Sequence, residues 1–78
     1  MEYEVIFEIF NSCSGNQMRD IFFDEMEFNS HEEMEKYIRS QHNYTIGEMD
    51  KTELEDGGII FNYEVGGVPQ RYTFTPIG

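Results

Sequence analysis

Seventy-eight residues suffice for one domain, residues 1–78, and a balance of sixteen acidic against five basic side chains, net −11, disfavours gripping nucleic acid or an anionic membrane directly. The single cysteine excludes an internal disulfide and a zinc site built from several thiolates. No apolar run approaches the ~18–20 residues of a membrane helix, and Met1-Glu2-Tyr3-Glu4 does not read as a secretory leader, so a soluble, cytoplasmic protein is expected.

Seven Phe and five Tyr argue against disorder, because large rings bury much area per residue ordered. Residues 2–10 alternate with period two. Tyr3, Val5, Phe7 and Ile9 fall on one face, and Glu2, Glu4, Ile6, Glu8 and Phe10 on the other, which predicts a strand. Residues 11–17, NSCSGNQ, carry turn chemistry throughout and predict a loop. A second strand is expected over about residues 18–28, but its period is imperfect. Ile21 and Phe23 share one parity, Met26 and Phe28 the other. A bulge near Asp24 and Glu25 would bring all four inward.

Asn29 and Ser30 open a helix. Ser30 and Glu33 have capping-box spacing, Glu32 and Glu33 complement the helix dipole, and Arg39 and His42 are expected in the last turn. Met34, Tyr37, Ile38 and Gln41 supply one packing face. Glu32 to Lys36 and Glu35 to Arg39 have the favourable i to i+4 order, worth about 0.3–0.5 kcal/mol each. Beyond Asn43 a weaker strand over about residues 47–55 leads into Asp56-Gly57-Gly58, a hairpin signal. Ile59, Phe61, Tyr63 and Val65 alternate with Ile60, Asn62 and Glu64, Gly66-Gly67 closes a further hairpin, and residues 70–75 complete a meander with Tyr72 and Phe74 inward. Pro69, at its start, suits an edge best. The expectation is α+β: a single antiparallel sheet of four to five strands with one helix on one face, order ββαβββ.

One helix covers only one side of such a sheet, so the other meets water or a partner. That outer face reads Glu2, Glu4, Ile6, Glu8 and Phe10, then Asp20, Phe22 and Glu27, with Ile60 and Glu64 from a later strand. Carboxylates around a few apolar groups have the composition of a docking surface with anchors and a charged rim, though a merely solvated face has a similar one. Seven acids and no base lie between Asp20 and Glu35, a field that attracts basic proteins. The reading is therefore a non-enzymatic binding protein without a cofactor. Its site is Glu4, Ile6, Glu8, Phe10, Asp20, Phe22 and Glu27, its partner is a basic protein surface, and it is a monomer or weak homodimer. Stacking two such faces would oppose like charges.

Two alternatives remain. Carboxylates at i and i+2 on a strand stand about 6.6–6.8 Å apart, near the spacing of phosphates on an extended nucleic-acid strand, so the chain could imitate nucleic acid and inhibit a machine that handles it. Cys13, among flexible Ser and Gly residues, could serve a hydrolase or redox protein. That chemistry needs an electropositive setting and an oriented base, and an acidic chain with only His31 and His42 supplies little of either. His31 and Glu35 make two ligands at i, i+4 and no metal site. The acidic run 50–57 lacks the mid-loop glycine of a calcium loop, and neither glycine pair precedes a helix as a phosphate cradle would.

Overall fold

The computed structural model describes residues 1–13, 16–42 and 46–77, with side chains at 1–10, 20–42 and 46–77. The chain runs β1 (Glu2–Cys13), β2 (Asn16–Glu27), α1 (His31–Ser40), β3 (Asp50–Glu53), β4 (Ile59–Val65) and β5 (Val68–Pro76). All strand pairs are antiparallel, in the order β2-β1-β5-β4-β3. The α+β reading and the ββαβββ order hold. The strand order is new information: β5, last in the chain, is the middle strand.

Alternation along β1 becomes burial. Tyr3 and Val5 join Ile59, Phe61, Tyr63, Tyr72 and Phe74 in a sheet face that packs on Met34 and Ile38 of α1 and on Phe28. The rings meet mostly at steep angles. Phe74 is edge-on to Phe28 (5.4 Å) and Phe61 (5.7 Å), and Tyr37 is edge-on to Phe28 (5.8 Å) and Tyr72 (6.1 Å), geometries that suit the ring quadrupole. Burial in this cluster pushes the Tyr63 and Tyr72 phenols well above the ordinary tyrosine range.

The helix begins as its caps dictate. Ser30 Oγ accepts from the Glu33 amide at 3.2 Å, while Glu33 reaches one residue further back, accepting from the Asn29 amide at 3.2 Å. His42 lies beyond the helix end rather than in its last turn. Arg39 instead performs the C-terminal task. It pairs with Glu35 at 3.0 Å and donates to the Ile46 carbonyl at 2.7 Å, tying the incoming chain to the helix. Glu35 also receives Lys51 from β3, so one carboxylate holds two cations, and their hydrogen bonds, Lys51's first, keep its carboxyl below the usual range.

Three expectations about strand extent and register are corrected. The loop expected over residues 11–17 is largely strand, since pairing continues through Asn11↔Met18 and Ser12↔Gln17 to Cys13↔Asn16; Ser14 and Gly15 lie outside the described residues. The weak strand expected over 47–55 shortens to Asp50–Glu53. No bulge interrupts β2: its register against β1 is continuous from Glu2↔Glu27 onward. A bulge would have spared Asp24 from burial. Asp24 needs no rescue, because β2 is an edge strand beyond the reach of α1 and its carboxylate is exposed, accepting from the Glu25 amide at 2.8 Å.

Pro69 is not on an edge strand. It follows the Gly66-Gly67 turn, whose φ of 58° and 82° suit a two-residue primed loop closing at Val65↔Val68. The next pair, Glu64↔Pro69, is then the non-hydrogen-bonded kind, so the missing N–H points toward β1, whose pairing with β5 ends at Ile9↔Gln70. A proline is tolerated in the middle strand because its neighbour stops short.

Candidate partner-binding face

The register sorts the outer face into rows that cross the strands. The central row is Thr52, Ile60, Thr73, Ile6 and Phe23. At four inter-strand steps it runs about 19 Å. Ile6 and Ile60 are half-buried and Phe23 is 70% exposed. On one side lies the row Asp50, Asn62, Arg71, Glu8 and Ile21; on the other lie Thr75, Glu4 and Glu25, followed by Glu2 and Glu27. An apolar stripe is thus framed by carboxylates.

Of the residues expected on this face, Glu4, Ile6, Glu8, Phe10 and Glu27 are there. Asp20 and Phe22 are not. They stand opposite Ile9 and Phe7, on the helix side of the sheet, because without a bulge their parity is that of Met26 and Phe28. Both remain exposed, since α1 does not reach them. Their outer-face counterparts are Ile21, Phe23 and Glu25, which the expectation of a bulge had turned inward or left unassigned. Ile6, Phe10 and Phe22 are not sealed in the interior, so an accessible apolar surface exists.

The acids here are of two kinds. Glu8, with 13% of its side chain exposed, faces Arg71, whose Nε lies 3.8 Å from Glu8 Oε1 and whose guanidinium carbon sits 4.9 Å over the Phe10 ring. Phe10, Arg71 and Glu8 therefore form a packed unit. Glu2, Glu4, Glu25 and Glu27 form a square of exposed carboxylates, Glu2 opposite Glu27 and Glu4 opposite Glu25, and three of them, Glu2, Glu25 and Glu27, line a depression of about 160 Å³ together with Met26. Among the described residues no basic side chain pairs with any of the four. Like charges directly opposite on a sheet destabilise it. A larger open cleft of about 470 Å³ lies at the other end of the sheet, between Phe10 and Tyr63, with Glu48, Asp50 and Glu64 on its walls.

The remaining candidates separate. Cys13 ends β1, and its side chain lies outside the described residues. His31 faces Glu53 at 3.6 Å and His42 faces the Tyr63 hydroxyl at 3.3 Å, at opposite ends of the helix. No group of three metal-ligating side chains occurs among the described residues, and no helix there is long and apolar enough to cross a membrane. No family model matches the chain, and neither the curated proteins nor the solved structures contain a match to it.

Proposed function

We propose that this chain is a non-enzymatic binding module whose outer sheet face docks a basic protein surface. The observation that carries this reading is the square of four exposed carboxylates, unpaired among the described residues, beside the Ile60, Thr73, Ile6 and Phe23 stripe. The arrangement costs the free chain stability through like-charge opposition, and a cationic partner relieves that cost on binding. Phe23 and Ile6 are the apolar anchors, which govern dissociation; the carboxylates steer association. The cleft beside Phe10 suits an inserted lysine or arginine, because Glu48, Asp50 and Glu64 line it.

The test is capture from the source cell's extract by the wild-type chain and by Glu4→Lys/Glu25→Lys, followed by affinity measurements on the purified captured protein. A basic protein that releases at high salt is expected, with the double reversal weakening it by about tenfold or more. Asp20→Lys, on the opposite face, changes affinity little. Unchanged affinity and salt dependence in the double reversal overturn the proposal. The same square, about 4.8 Å across and 6.6–6.8 Å along the strands, also favours nucleic-acid mimicry as a second reading. Competition separates the two: nucleic acid displaces a mimic from its target and leaves a simple adaptor bound.

A further inference from the structure

The sheet has two edges, and they are built differently. β3 is four residues long and wholly exposed, Asp50-Lys51-Thr52-Glu53, an edge blunted by shortness and charge. β2 is twelve residues long and carries Ile21-Phe22-Phe23 at 39, 54 and 70% exposure. A long edge with an exposed apolar centre is a template for another strand.

Hydrogen-bond parity decides what can pair there. Met1 and Phe28 exchange both bonds, the Phe28 amide to the Met1 carbonyl at 3.0 Å and the Met1 amino group to the Phe28 carbonyl at 3.2 Å. Alternation from this pair makes Tyr3↔Met26, Val5↔Asp24, Phe7↔Phe22 and Ile9↔Asp20 the hydrogen-bonded pairs. The Ile77 amide, bonded to the Glu2 carbonyl at 2.9 Å, confirms that Glu2 faces the other way. The backbone groups of Arg19, Ile21, Phe23, Glu25 and Glu27 therefore point to the open edge. Among the described residues, one of those donors has a partner within the chain: the Glu25 amide, held by Asp24 Oδ1.

We infer that β2 pairs antiparallel with β2 of a second copy, in the register centred on Phe22. Parity restricts a two-fold pairing to registers in which odd-numbered residues meet odd ones. Centred on Phe23, such a pairing sets Phe22 against Asp24 and Ile21 against Glu25. Centred on Phe22, it joins Phe22 to its own copy and Ile21 to Phe23 twice. Its cost is Asp20 opposite Asp24, twice, all four carboxylates exposed.

A further observation favours the same register. An aromatic row crosses the helix side of the sheet, Phe61, Tyr72, Phe7, Phe22, with Tyr72 and Phe7 stacked at 4.4 Å and Phe7 and Phe22 at 5.9 Å. It stops at the edge with its last ring half exposed, and only pairing centred on Phe22 continues it into the same row of the partner.

Sedimentation equilibrium from micromolar to millimolar chain, with reductant so that Cys13 cannot link copies, tests this. A concentration-dependent dimer is expected, strengthened by salt because each copy carries −11. That is the opposite of the salt response proposed for the basic partner. Phe23→Pro removes an edge-facing donor while sparing the bonds to β1, and should give a folded monomer. Asp20→Lys and Asp24→Lys should each tighten the dimer about tenfold by setting opposite charges across it, and the double variant should lose that gain, a coupling that residues four apart on one strand, about 13 Å, cannot produce within a copy. Asp24→Ala should tighten it by freeing the Glu25 amide and removing the Asp20 opposition. A chain that stays monomeric at millimolar concentration, or a dimer whose double variant keeps the gain, overturns the inference. The charge exchange decides the matter even if Phe23→Pro fails to fold.

Discussion

Replacing Phe74 with Ala is the sharpest probe of the packing. Phe74 is fully buried on the middle strand between Val5 and Ile59, and its ring meets those of Phe28, Phe61 and Tyr72 at 5.4, 5.7 and 5.8 Å. Removing the ring opens a void of roughly 100 Å³, costing about 2.4 kcal/mol at ~24 cal/mol per Å³ before the lost transfer energy is added. Each aromatic pair adds about 0.5–1.5 kcal/mol beyond its area, which places the variant at the upper end of the ~3–5 kcal/mol range for this substitution. A chain of this length has only about 4–12 kcal/mol of total stability, so the variant should lose about 40% of it or more and keep at most about 7 kcal/mol. Phe74→Leu, which keeps most of the volume but loses the ring pairs, should cost less than Phe74→Ala. Phe23→Ala, removing a ring that is 70% exposed, should fall within about 0.5 kcal/mol of wild type. Urea unfolding followed by circular dichroism reads all three, at low concentration where copies do not associate. Equal losses at Phe74 and Phe23, or a loss below about 1.5 kcal/mol for Phe74→Ala, would refute the assignment of faces.

Two further outcomes follow from the same coordinates. A Cβ on Gly58 would sit 2.5 Å from the Phe74 carbonyl oxygen, so Gly58→Ala must displace the β3–β4 turn and should lower the melting temperature, with a cost of about 1–3 kcal/mol. The pH profile should fall on both sides. Glu35, held down by Lys51 and Arg39, stabilises the fold above the unfolded carboxylate pKa and loses that contribution as pH drops through its lowered folded value, so Glu35→Gln flattens the acid limb. Tyr63 and Tyr72, raised by burial, stabilise it below the unfolded tyrosine pKa; above about pH 10 stability should drop by about 1.4 kcal/mol per pH unit for each, and Tyr72→Phe should halve that slope in thermal melts.

Much of the fold was legible in local patterns. Alternation in residues 2–10 and 59–65, the Ser30–Glu33 cap, and the glycine pairs at 57–58 and 66–67 each encode a local geometry that tertiary contacts did not overrule. The site was half legible: β1 contributes Glu4, Ile6, Glu8 and Phe10 as its alternation requires, while β2 was misread at Asp20 and Phe22. The misreading had a physical source. The mixed parity of Ile21, Phe23, Met26 and Phe28 looked like a strand needing a bulge, on the assumption that all four must be buried. Alternation along a strand states which residues share a side, and that much the chain carries in its order. Whether a side is covered depends on strand order and on where the helix ends. Putting β5 in the middle and β2 at the rim let Phe23 and Asp24 stay in water at little cost, and only the assembled sheet could decide that.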